Sequence, residues 1–303
     1  MGKGVFGMDE VLLLIVLIVV GLVVQVVFKR VLNLGEMFEK VVKKLVDIVY
    51  YVLIPLVFVK TYMERGLAVA DVWVALSFLL FVVLAFVSLK RFFGKHRGGY
   101  VEALFLTSVF PNSVFLGFPV SMALFNTVKV ASMMGLVVLV LNVTVSDFMA
   151  LKRFSIRKIL TLPAIVGFVV GVAGHHFVPE MVPLVSSILW WASPLLSYLA
   201  IFALGARLPL SLDVLKSSMS FILVAGIYRF VVAPLVSYAT VLAVGMDWFD
   251  GLQLIVVSMM PPAVMNTLMA QRYKWKPELV AGATVTLTFA FLAFLPILNL
   301  LIP

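Results

Sequence analysis

The stretch Ser108-Val109-Phe110-Pro111-Asn112-Ser113-Val114 lies in the middle of an apolar segment that runs from about Val101 to Asn126. A proline inside a helix removes one backbone hydrogen bond and clashes with the carbonyl one turn back, so the segment is expected to break near its centre. A second stretch, Ser258-Met259-Met260-Pro261-Pro262-Ala263-Val264, repeats the pattern Ser-x-x-Pro-x-x-Val and is also central in an apolar segment, Gly251 to Gln271. Membrane helices tolerate single prolines as kinks. Two matched interruptions in corresponding halves of a chain point instead to a binding site between the internal repeats of a transporter.

Composition agrees with that setting. Apolar residues make up 64% of the chain and charged residues 12%, and the mean hydropathy is +1.19, far from a soluble globular domain. At about 20 residues per span, 303 residues leave room for nine to ten helices and for no sizeable soluble domain. A net charge of +9 would suggest nucleic acid in a soluble chain, but the Lys and Arg residues fall in clusters between apolar runs, so topology explains them and no nucleic-acid partner is expected. The absence of cysteine excludes disulfides and thiolate metal sites, and His96, His175 and His176 lie at segment ends without ligand spacing. There is no His-Glu-x-x-His, no P-loop and no pair of mid-membrane aspartates, so neither an intramembrane enzyme nor an ATP-driven pump is expected.

Taken in order, the apolar runs read as Val11–Phe28, Leu45–Tyr62 (with Pro55), Val72–Leu89, Tyr100–Asn126 (broken at Pro111) and Val130–Leu151. After a short basic link, Lys152–Lys158, come Ile159–Phe177, Leu184–Ala206 (with Pro194), Ser217–Val244 (with Pro234), Gly251–Gln271 (broken at Pro261) and Leu279–Leu301. The first run is too long for a signal peptide and lacks a cleavage site. The stretch between the first two, Lys29 to Lys44, reads as a basic connection. Alternate links hold 18 of the 23 basic residues, while the other side holds only Lys3, Lys60, Arg65 and Lys129. Basic residues in short loops stay cytoplasmic, so both termini are expected outside, in a plasma-membrane protein. The expected fold is an all-α polytopic membrane protein of ten transmembrane helices. Each half, 1–151 and 152–303, has an odd number of spans, which makes this a 5+5 inverted repeat with broken, crossing helices four and nine. Pro111 and Pro261 are 150 positions apart, about half the chain.

In this topology both second half-helices begin at the midplane and aim their N–H groups and positive dipole ends into the gap, an arrangement that attracts an anion. Ser108, Asn112, Ser113, Asn266 and Thr267 are placed to add neutral hydrogen bonds. Any single Ser or Thr more often repairs a broken helix, whereas the amides of Asn112 and Asn266 offer both donors and an acceptor. A cation-coupled site would be expected to carry a carboxylate, and there is no Asp or Glu from Leu104 to Leu124 or from Leu252 to Ala270. Asp47, Glu102 and Asp147 lie near inner span ends and are expected to be solvated. Arg229 is close to the membrane centre and needs a partner. It either adds positive field for an anion or bonds to backbone carbonyls freed by a break.

The segments VYYVLIPLVFVKTY, PNSVFLGFPV, LSYLAIFALGARL, YRFVVAPLV and MPPAVMNTLMAQRY together resemble the auxin efflux carrier family, which includes bacterial and archaeal permeases and the plant PIN proteins. The likeness covers essentially the whole chain. It implies a plan similar to that of bile-acid symporters. Spans three to five and eight to ten would form a moving transport domain, and spans one, two, six and seven a scaffold and homodimer interface. It implies small organic anions as substrates, and it points to Asn112, to Asn142 in span five, and to the turn from Pro261 and Pro262 through Val264 as binding residues. The long plant members carry a large cytosolic loop where this chain has only Lys152–Lys158.

The function expected from these readings is a secondary transporter of small organic anions (carboxylates, auxin-like or dicarboxylate), bound at the crossing of helices four and nine and carried across the lipid bilayer by elevator-type alternating access without a bound cofactor. Sodium or proton coupling stays open, since carbonyls and neutral side chains can also hold sodium. A sodium-coupled symporter and a membrane ligand sensor are the alternatives.

Overall fold

A computed structural model describes residues 6–153, 155–208 and 219–302. Lys3, Lys216, Ser217 and both chain ends lie outside the described residues. Among the described residues every regular element is helical, and the non-helical pairing is one isolated bridge between Pro111 and Pro262.

The chain opens with α1 (Phe6–Val26), which ends in a widened π-type turn. Next come α2 (Gly35–Ile48), a π-type turn at Val49–Leu53, and α3 (Ile54–Arg65). Then follow α4 (Val69–Phe93), the broken pair α5 (Tyr100–Val109) and α6 (Gly117–Phe125), and α7 (Lys129–Leu151). The second half holds α8 (Ile156–Leu160), α9 (Pro163–Phe177), α10 (Val182–Ile188) and α11 (Ala192–Arg207). It continues with α12 (Met219–Ile227), a π-type turn at Tyr228–Val232, and α13 (Ala233–Val244). A second broken pair, α14 (Trp248–Ser258) and α15 (Val264–Tyr273), leads to α16 (Pro277–Leu301). Pro55 and Pro234 each stand two residues after the end of a π-type turn. A proline there has no N–H to give the preceding turn, and the widened turn absorbs the missing bond.

Among the described residues, five helical stretches are long and apolar enough to cross a bilayer unaided: Asp9–Val31, Val69–Phe93, Lys129–Leu151, Met219–Val244 and Pro277–Leu301. A sixth candidate, Pro163–Phe177 with Pro179–Ile188, is bent by 110°. Large apolar side chains such as Val23, Val83, Val87, Leu223 and Leu242 point outward, which suits lipid contact. The chain is a multi-pass membrane protein.

Two local readings change. The basic connection becomes helix from Gly35 onward, because Phe38 and Val42, one turn apart, bury themselves against Ala206 with Val24, Phe28 and Phe202, while Lys40, Lys43 and Lys44 stay exposed. The run Leu184–Ala206 is not one helix, since the chain turns at Leu189–Trp191 between α10 and α11.

One group of helices packs nearly backbone to backbone. α1 lies on α11, where a Cβ added at Gly205 would overlap the Ile18 carbonyl oxygen and one at Gly21 would fall 2.5 Å from that of Phe202. α9 lies equally close on α3, where a Cβ at Gly167 would overlap the Pro55 carbonyl oxygen. Small residues allow such contact where lipid gives no hydrophobic drive. The other helices, α4 to α7 and α12 to α16, pack around the Pro111–Pro262 bridge. Between the groups runs an apolar seam that includes Leu14 and Ile18 of α1, Val120 of α6, Leu204 of α11 and Leu295 of α16.

Candidate binding site at the helix crossing

The chain leaves α5 at Phe110, which is extended at φ −91° and ψ 104°, and Pro111 lies antiparallel to Pro262. Because prolines cannot donate, their neighbours make the bridge. The Asn112 N–H donates to the Pro261 carbonyl at 2.7 Å, and the Ala263 N–H to the Phe110 carbonyl at 3.0 Å. The two breaks thus satisfy part of each other's exposed backbone.

Arg229 supplies what the bridge leaves open. It is fully buried, yet it takes part in none of the ion pairs among the described residues. Its Nη1 donates to the Val109 carbonyl at 2.9 Å and its Nε to the Met260 carbonyl at 2.9 Å, and its Nη2 donates to the Ser258 carbonyl. Val109 and Ser258 are the last residues of α5 and α14, so one guanidinium caps the negative ends of both half-helices. The Phe81 ring lies 5.7 Å from it, within cation–π range. Of the two roles the sequence left open for Arg229, the bonds to freed carbonyls are present.

The predicted polar residues divide sharply. Asn266 is saturated: its Nδ2 donates to the Leu106 and Phe110 carbonyls at 3.0 and 2.9 Å, and its Oδ1 accepts from Asn142 Nδ2 at 2.7 Å. It ties α15 to α5 and α7. By contrast, Ser108 Oγ, Asn112 Nδ2, Ser113 Oγ and Asn142 Oδ1 are buried and have no partner among the described residues. Thr267 is half-buried. The second half-helices also differ from the expectation of matched starts. α15 begins at Val264, directly after the bridge, but α6 begins only at Gly117. The chain turns first, as the Leu116 and Gly117 N–H groups fold back on the Asn112 carbonyl.

Beside the crossing is a small pocket of about 10 Å³, room for about one water molecule, lined by Ser77, Phe78, Phe81, Met134, Ala233 and Ser237 together with Pro111, Arg229 and Ser258. A small-molecule ligand needs far more space than that, so in this state the crossing is shut.

No protein-family model matches the chain. A protein of Methanocaldococcus jannaschii described as an uncharacterized transporter is 23% identical to it over 306 residues, which cover 94% of this chain and 96% of that one. The likeness runs from end to end, and with the apolar helices it supports a membrane transporter.

Two ionic clusters escaped the sequence reading. In the first, Arg65 at the end of α3 forks onto Asp71 of α4 at 2.6 and 2.8 Å. Arg65 also reaches the Lys129 carbonyl at 3.3 Å, and Lys129 Nζ donates to Asp250 of α14 at 2.6 Å. In the second, Asp147 accepts from Lys158 of α8 and from the Tyr273 hydroxyl of α15. This corrects the expectation that Asp147 is solvated: it is 3% exposed. Its partners lie 11 and 126 residues away, and sequence distance gave no sign that the second would close over it.

Proposed function

We propose that the protein is a secondary transporter of small organic anions, built as ten spans in a 5+5 inverted repeat and related to the auxin efflux carrier family, with the anion held at the crossing. The observation that carries this reading is the Arg229 cap. A helix end carries roughly half a unit charge, so the guanidinium offsets the two C-terminal ends of α5 and α14. The N-terminal ends of α6 and α15 remain as an uncompensated positive region with no carboxylate in the breaks to neutralise it. The unpartnered Asn112 amide and the Ser108 and Ser113 hydroxyls are acceptor-seeking groups beside it.

Support for the repeat comes from packing and sequence together. If the first five spans map onto the last five, the α1–α11 and α3–α9 contacts exchange with each other, and both are the glycine-lined ones. Arg65-Gly66-Leu67-Ala68-Val69-Ala70-Asp71-Val72 also shares an Arg followed six residues later by Asp-Val with Arg207-Leu208-Pro209-Leu210-Ser211-Leu212-Asp213-Val214, of which 209–214 lie outside the described residues. Alternating access would slide α4–α7 and α12–α16 along the apolar seam past α1–α3 and α9–α11. The Arg65–Asp71 pair joins these two groups, and Lys158 ties the short linking helix α8 to Asp147 of α7; the first pair would break when its side opens.

Binding of mono- and dicarboxylates to the purified protein, followed by uptake into proteoliposomes, tests the function. Saturable anion uptake is expected, and binding of neutral amides as tight as that of the matching acids would sink the reading. The chain has no native cysteine, so single cysteines at Lys95, Arg157 and Glu180 test the topology. The first two should label from the cytoplasm and the third from outside.

A further inference from the structure

The three carbonyls that meet at Arg229 form a site in their own right. Two close helices, α5 and α14, and the third follows two residues after the second. Backbone carbonyls converging from helix C-termini are the ligands with which membrane proteins replace the hydration shell of a monovalent cation. The guanidinium there is fully buried and has no carboxylate partner among the described residues. Its attachment, the π-type turn Tyr228–Val232, belongs to neither broken helix. It enters the crossing from the side, as a bound ion would.

We infer that the Val109, Ser258 and Met260 carbonyls are a binding seat for a monovalent cation, and that Arg229 is its tethered, permanent occupant. The planar fork of a guanidinium suits three acceptors spread around one plane better than a spherical ion does. Guanidinium-type cations are therefore the class this seat takes when the side chain is removed, with alkali ions binding more weakly. It follows that the crossing is held together without a metal cation at these carbonyls. The inference concerns assembly of the crossing and does not depend on which substrate is carried.

Thermal unfolding of the purified protein tests it. Arg229→Ala strands three buried carbonyls, so the melting temperature should fall by roughly 10 °C. Low-millimolar guanidinium chloride, too dilute to denature, should restore several degrees of this loss, and sodium chloride at equal concentration should restore less. Tetramethylammonium, which cannot donate a hydrogen bond, should restore nothing. The parent protein should melt at the same temperature in sodium and in choline chloride. Absence of rescue by every cation would overturn the inference. So would stabilisation of the parent by sodium that Arg229→Ala lacks, or rescue by tetramethylammonium equal to that by guanidinium. Should Arg229→Ala yield no folded protein, Arg229→Lys and Arg229→Met decide the matter. Lys keeps a cation in the seat and should melt well above Met, whereas equal melting temperatures would make the position mere packing.

Discussion

The two broken helices start from the same motif and reach different ends. In α14–α15 the serine and the asparagine of the motif region are both used: Ser258 Oγ donates to the Ile255 carbonyl at 2.7 Å, and Asn266 makes three bonds to α5 and α7. In α5–α6 the equivalent serine, Ser108, and the asparagine beside Pro111 have buried polar atoms with no partner among the described residues. The position of the amide decides this. Asn266 sits in the first turn of α15 and reaches back to the carbonyls of the crossing helix, while Asn112 sits in the break itself, where its own carbonyl starts the next turn. One broken helix therefore fastens the crossing, and the other leaves it chemically open.

This division can be broken by mutation. Asn266→Ala should have the largest effect on stability, about 3 kcal/mol, because it strands Asn142 Nδ2 and weakens two carbonyl contacts. Denaturation midpoints check it, and a loss no greater than that of Asn112→Ala would erase the contrast. Asn112→Asp should leave the fold largely intact but reduce anion affinity roughly a hundredfold or more, since a fixed negative charge is little screened there. Asn112→Ala should reduce affinity about tenfold to a hundredfold, the worth of one hydrogen bond to a charged group. Titration calorimetry with carboxylates measures both. If Asn112→Asp, with its new carboxylate shown to be ionised, bound anions as well as the parent, the crossing would be removed as the site.

Proline substitutions sharpen the comparison further. Pro111→Ala lets α5 propagate through the break and withdraws the free N–H groups, so anion affinity should fall about tenfold even for ligands that do not touch Asn112. Pro262→Ala should do less, because Pro261 still interrupts its helix. The smallest effects fall on the serines. Ser258→Ala should cost about 1 kcal/mol for its bond to Ile255, and Ser108→Ala should cost no stability but a few-fold in affinity. A destabilised Ser108→Ala would mean that its hydroxyl is already engaged in the free protein.

The sequence by itself determined the membrane setting and the site of both breaks, because these follow from local chemistry. A proline lacks its N–H wherever the chain goes, and a long apolar run resists water in any fold. Tertiary structure decided the partners. The carbonyls that hold Arg229 lie 120, 31 and 29 residues away along the chain, and those that hold Asn266 lie 160 and 156 away. Whether a buried amide is spent on the fold or left for a ligand depends on which backbone crosses it, and only packing brings that backbone near. The same holds for Asp147, buried under Tyr273, and for α2, whose lysines read as a link until Phe38 and Val42 found α11 to pack on.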